Sequence, residues 1–253
     1  MSNIKYISLG YACELKMFFR RMKLHPLERL PFDFMASSIE FIISSFKENF
    51  KQWLDPSLFY SSAIHKPNNH MLIKHKNHLA VYNHDLKYHD YVNPHLDLNK
   101  YYDSNGYNGD IPIKPQALNT FIEAYSRRIH RLRDIVNDKN NILIFVRYQN
   151  YVNPPEVPIA TLDDIKDLYQ TLRQFCINTR FILMCISNTV SKWPTPDLDV
   201  NVSISNTNPI ILFNDEQSTC LIGRYSKNYL LNVVVKNITI KLTSNTLPIT
   251  VKF

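Results

Sequence analysis

A single cysteine stands where the chain changes character. Ser8-Leu9-Gly10-Tyr11-Ala12-Cys13 follows a short strand pattern, Ile4 to Leu9, and Gly10 breaks it. From Tyr11 to Met22 the apolar period is helical, with Tyr11, Leu15, Phe18 and Met22 on one face. Cys13 therefore falls in a first helical turn, where amide N–H groups lack partners and the helix dipole is positive. Both effects stabilise a thiolate. Lys16, one turn on, adds a cation, and the amides that follow Gly10 could hold an oxyanion. The plain alternative is a buried structural cysteine.

A thiol nucleophile needs a base, normally an imidazole held by a third group. Seven of the nine histidines lie between residues 65 and 95: His65, His70, His75, His78, His84, His89 and His95. His84 is favoured because it follows the alternating run Leu79–Tyr82, a rigid element that would place it. Asp85 comes next. Neighbouring strand residues face opposite ways, so Asp85 orients His84 only if the chain turns there. Asp33, in the rigid aromatic loop Pro31-Phe32-Asp33-Phe34, is a second orienter or a substrate-side carboxylate. His89-Asp90 repeats the pattern and is the rival. A metal reading would use His75 with His78, or His84 with His89. No HExxH is present and no cysteine lies nearby, so the expectation is no metal and no cofactor. Cys176 and Cys185 sit in apolar patterns and read as core, and Cys220 is uninformative. Walker, GxGxxG and GxSxG motifs are absent.

The elements that must position these residues follow from periodicity. Ser38 to Phe50 reads as an amphipathic helix. Met71–Lys74 and Leu79–Tyr82 read as a hairpin, and residues 93–115 as a long loop or lid. Ala117–Val136 is a helix with a stripe of Leu118, Phe121, Ile122, Tyr125, Ile129, Leu132 and Val136. Ile142–Val146 and Phe181–Ile186 are continuous apolar runs, as in strands buried on both faces. Between them Thr161 caps a helix that runs to about Asn178. Strand, helix, strand in that order predicts a right-handed parallel crossover. Residues 198–253 alternate apolar residues with Asn, Ser and Thr, as in Leu231–Val235 and Ile238–Leu242. The expected fold is α/β: a parallel-sheet core with flanking helices, a β-hairpin insertion and a C-terminal antiparallel β addition. A papain-like α+β layout is the alternative. The domains would be 1–195, carrying the site, and 196–253, packed on it.

Composition bounds the function. The chain has 253 residues, 45% hydrophobic and 20% charged, an ordinary folding composition. No apolar run is long enough for a membrane helix, and no secretory leader is visible at the start. The cysteine spacing fits neither a zinc ribbon nor a disulfide-stapled domain, so a reducing, cytoplasmic setting is expected. Net charge is +7, gathered at Lys16, Arg20, Arg21 and Lys23 and at Arg127, Arg128, Arg131 and Arg133. Solvated helix faces account for both clusters; an anionic ligand bound by Gly10, Lys16, Arg127 and Arg128 is the functional counterpart. No RNA-binding signature, zinc finger or basic tail supports nucleic acid.

These residues together resemble a domain family of bacteria and viruses described as putative papain-like cysteine peptidases, whose pattern runs SLGxxC, PFDW, HD. The matching stretches are Ser8-Leu9-Gly10-x-x-Cys13, Pro31-Phe32-Asp33-Phe34 and Val81-Tyr82-Asn83-His84-Asp85. Tyr125-Ser126-Arg127-Arg128 and Ile142–Arg147 are similar to the family's RR helix and "ilFvR" strand. The likeness spans about residues 4–190, with Phe34 where tryptophan is usual. The resemblance implies Cys13 as nucleophile, His84 as base, and Asp33 and Asp85 as site residues. The expected function is thiol-dependent acyl transfer on a protein or peptide-like substrate, in the host cytoplasm if the chain is viral. The alternatives are a non-catalytic binding protein that engages a host partner, a nucleic-acid or anion binder using the Arg127–Arg133 helix, and a glycan- or nucleotide-processing enzyme using the aspartates.

Overall fold

The structure is a computed structural model. It describes residues 3–10, 15–16, 19–20, 23, 28–65, 70–78, 80–82, 113–149, 158, 160–187, 201–202, 210–214 and 249–250.

A parallel sheet forms the centre. Strand β1 (Asn3–Ser8) lies beside β6 (Asn141–Gln149), which lies beside β7 (Arg180–Ser187), which lies beside β9 (Ile210–Asn214). Every pairing is parallel. In β6 all five residues from Ile142 to Val146 are buried, as are Phe181 to Cys185 in β7. That is why these strands carry no polar alternation: both faces are covered. Leu143, Phe145, Phe181, Leu183 and Cys185 face one large apolar cluster. Ile7 of β1 and Leu9 just past it belong to that cluster, whereas the ring of Tyr6 lies 5.6 Å from Phe19 in the helical stretch that holds Leu15, Lys16, Phe19 and Arg20.

A second, antiparallel sheet is inserted between β1 and β6. It consists of β2 (Met35–Ser37), β3 (Phe59–His65), β4 (His70–His75) and β5 (Ala80–Tyr82), in the order β2-β5-β4-β3. The hairpin expected from residues 71–82 is therefore half of a four-stranded sheet. Its β2 strand is three residues long, too short to leave a periodic signal in the sequence.

Besides the helical stretch that holds Lys16, three α-helices are bounded among the described residues. Helix α1 (Ile39–Lys47) is capped by Ser38, whose Oγ accepts from the Phe41 amide at 3.3 Å. It stops well before Phe50. Asn49 and Phe50 take left-handed φ values of 52° and 61°, and the Phe50 amide donates back to Ser45 O at 2.7 Å. A bond that skips back five residues closes a helix end, and the left-handed residue before the donor is usually glycine. Here the buried Phe50 ring compensates by joining Phe32, Phe46 and Trp53. A 3-10 turn, Lys51–Leu54, follows. Helix α2 (Pro115–Asn137) begins on a proline and buries Phe121, Tyr125, Ile129, Leu132 and Val136 of the stripe read from the sequence, while Leu118 and Ile122 are half-buried against the same cluster. Helix α3 (Leu162–Phe175) starts on a reciprocal capping box between Thr161 and Asp164 and supplies the β6-to-β7 crossover. No helix among the described residues is long and apolar enough to cross a membrane.

The C-terminal region contributes the short antiparallel pair β8 (Asn201–Val202) and β10 (Ile249–Thr250) and also the parallel strand β9. Leu231–Val235, Ile238–Leu242 and most of the 93–115 loop lie outside the described residues.

His75 closes β4 between the rings of Phe41 and Phe59, 5.3 and 5.4 Å away. Burial, with His78 beside it, pushes its pKa from 6.5 down to about 4. The unfolded chain binds this proton more readily, so the stability it contributes is present above pH 6.5 and is lost as pH falls toward 4. The full difference is worth about 3 kcal/mol. Urea titrations of wild type and His75→Gln at pH 7.5 and 4.5 should show the smaller acid loss in the variant. Equal losses would contradict this placement.

Candidate functional site

The site is built where β1 ends. The ladder to β6 runs one residue past the strand, with the Leu9 amide donating to Val146 O at 2.9 Å. Gly10 then turns the chain with φ of 72°, a conformation that costs glycine nothing and other residues of order 1 kcal/mol or more. Its amide donates to the buried Ser8 Oγ at 3.3 Å. Glycine is also demanded from outside: a Cβ on residue 10 would collide with Ser37 Oγ, which comes from β2.

Arg147 makes that close approach possible. It continues β6 directly after the apolar run and is fully buried. Its Nη1 donates to Leu9 O at 2.8 Å and to Ser37 Oγ at 3.5 Å, and its Nη2 donates to Ser37 O at 2.7 Å. A buried guanidinium requires acceptors, and its forked geometry suits two carbonyls at once. One side chain thus ties the end of the parallel sheet to the first strand of the antiparallel one.

The loop before β2 is held as tightly. Asp33 Oδ2 accepts the Leu30 amide at 2.7 Å, while the Asp33 amide donates to Leu30 O at 3.2 Å. Phe34 follows with φ of 62°, and the Arg29 guanidinium sits 4.9 Å above its ring. Lys16 reaches this loop from the helical stretch after Gly10. Its Nζ lies 2.8 Å from Asp33 Oδ2 and donates to Glu28 O at 3.2 Å. Both side chains are essentially without solvent exposure, 1% and 0%. Burial pulls the Lys16 ammonium below its ordinary pKa, and the Asp33 carboxylate opposes that pull.

Of the residues singled out by sequence, the structure joins Lys16 to Asp33, while Gly10 packs against Ser37 and Arg147. Cys13, His84 and Asp85 lie outside the described residues, as do His89 and Asp90. The approach to His84 is described as far as Tyr82. Strand β5 pairs with β2 in the register Ser37↔Ala80, Ala36↔Val81, Met35↔Tyr82. The pairing is antiparallel, so the chain leaves β5 toward residue 84 at the end where residues 33 and 34 enter β2.

The remaining candidates are spread out. Arg127 is exposed on α2, whereas Arg128 is buried with its guanidinium 4.3 Å over the Tyr125 ring. Arg131 donates to Arg29 O at 2.7 and 3.1 Å, and Arg133 to Asn49 O at 3.0 Å. Arg131 and Arg133 fasten α2 to the preceding loops. Cys176 and Cys185 are buried, and burial pushes both thiols up to about 12, which makes them poor nucleophiles. Among the described residues, no group of three or more His, Cys, Asp or Glu could hold a metal ion. Ser37 and the partners of Arg147 were not identifiable from local sequence. The one available signal was a charge continuing an otherwise apolar strand, which has to find partners inside the protein.

A buried pair of this kind is costly to break from one side only. Lys16→Met and Asp33→Asn should each destabilise the fold by about 3–5 kcal/mol, and Lys16→Met/Asp33→Leu by clearly less than the sum. Urea unfolding of the four proteins gives the coupling energy. Strict additivity would mean that the pair does not exist in solution.

A family model described as "Putative papain-like cysteine peptidase", a domain of unknown function, matches residues 4–189 of the chain. No curated protein and no solved structure matches it significantly.

Proposed function

The chain belongs to the family described as putative papain-like cysteine peptidases, and from that premise we propose that it is a thiol-dependent acyl-transfer enzyme, with Cys13 as nucleophile and His84 as base. One observation carries the reading. The Lys16–Asp33 pair joins the segment just after Cys13 to the loop that enters β2, and the partner of β2 ends two residues before His84. This supports a common location for two segments far apart in sequence, as a nucleophile and its base require.

In the proposed reaction His84 accepts the Cys13 proton and the thiolate attacks an amide or ester carbonyl. Amides after the Gly10 turn stabilise the resulting oxyanion. Collapse expels the amine or alcohol, which takes the proton from the imidazolium, and water or another nucleophile then releases the acyl group from sulfur. Asp33 acts here by holding Lys16 and the loop in place. Asp85 orients His84 if the chain turns after it. A protein or peptide-like substrate suits the family, and a reducing cytoplasmic setting would keep the thiol available. Because Asp33 is buried and engaged by Lys16, a mechanism in which it works directly on a glycan or nucleotide has less support.

The test is a peptidyl chloroacetamide probe with labelled cysteines identified by mass spectrometry. Wild type should be modified at Cys13, Cys13→Ala should lose that adduct, and His84→Gln should react about 100-fold more slowly at neutral pH. Indifference of the labelling to both substitutions would leave the chain as a non-catalytic binding protein.

A further inference from the structure

We propose that Arg147 is a positioning residue for this thiol site, setting the separation between the nucleophile's segment and the base's segment; the inference rests on the acyl-transfer reading above. Arg147 is far from Cys13 and His84 in sequence, and the family resemblance assigns it no role.

The argument comes from what its guanidinium holds. Leu9 O, 2.8 Å from Nη1, is the last carbonyl before the Gly10 turn, and Cys13 follows that turn by three residues. Ser37 O, 2.7 Å from Nη2, belongs to β2. Ser37 pairs with Ala80, and the same two strands run on to Met35↔Tyr82; Asp33 precedes that end of β2 by two residues, and His84 follows the end of β5 by two residues in the sequence. One planar group therefore fixes the distance between the chain that leads to the thiol and the strand pair that leads to the imidazole. Gly10 fits the clamp because it lacks a Cβ, which lets Ser37 Oγ approach its α-carbon directly. Backbone carbonyls serve as acceptors at both ends, so replacing Leu9 or Ser37 would leave those bonds in place. Only residue 147 supplies the fork. A lysine there keeps the charge but offers one compact ammonium, which cannot span both carbonyls in the same geometry.

A role confined to stability would leave the chemistry of the thiol untouched in any variant that still folds. The experiment therefore reads the rate of Cys13 alkylation by iodoacetamide between pH 5 and 10, resolved by peptide mass spectrometry, in wild type, Arg147→Met and Arg147→Lys. Protection of Cys176 in the same digest and near-ultraviolet circular dichroism report folding. In wild type the rate should rise with a midpoint below the ordinary thiol value of about 8.5. Arg147→Met should raise that midpoint and slow the reaction at pH 6.5 by about 10-fold or more, with Arg147→Lys between the two. Arg147→Lys retains the buried charge and decides the matter should Arg147→Met not fold. Folded variants with the wild-type profile would overturn the positioning role while leaving the acyl-transfer reading intact. A wild-type midpoint at or above 8.5 would instead overturn that reading, and this role with it.

Discussion

A guanidinium buried at the end of a parallel strand has to be given acceptors, and the rest of this architecture is arranged around how Arg147 obtains them. Its partners are main-chain carbonyls on two sheets, Leu9 on the parallel one and Ser37 on the antiparallel one. Neither sheet could shift along the other without leaving a buried charge short of hydrogen bonds, which is among the larger single penalties in a protein interior. The positive φ of Gly10 and the hydroxyl of Ser37 follow from the same closeness of approach. The Gly10 turn is thus a consequence of the contact between sheets as well as of local chain geometry.

The second fixed point is the loop from Glu28 to Phe34. Lys16 holds it from the helical stretch after Gly10, through Asp33 and Glu28 O. Arg131 holds it from α2, through Arg29 O. The aromatic cluster of Phe32, Phe46, Phe50 and Trp53 anchors it from beneath. A left-handed Phe34 is tolerated because these contacts over-determine the loop. Polar groups fix direction here and the apolar cluster supplies most of the stabilisation, a division suited to a site that must keep its geometry.

Much of this could be read from residue types. The apolar runs of β6 and β7 announced strands covered on both faces, and the Thr161 cap and α2 stripe appear where periodicity places them. A glycine between a strand and a helix, in a chain with four glycines, marked the turn. Long-range pairing was not legible. Local sequence offers Lys16 as a cation one turn from Cys13, and gives no hint that Asp33, seventeen positions on, engages its ammonium. Arg147 looked like the end of a strand because its acceptors lie 138 and 110 residues away. Phe50 fits a helical period, yet the helix ends before it, since its ring is drawn into the aromatic cluster while its amide turns back to Ser45. In each case a tertiary contact overrode, or was invisible to, the local pattern.

If Cys13 and His84 meet as proposed, their thiol and imidazole exchange a proton. An ion pair between thiolate and imidazolium raises the imidazole pKa. The most direct measurement is the NMR titration of the His84 ring, assigned through His84→Gln, in wild type and in Cys13→Ala. The account predicts a His84 pKa above the ordinary 6.5 or so in wild type that falls when the thiol is removed. Superimposable titrations in the two proteins would contradict it.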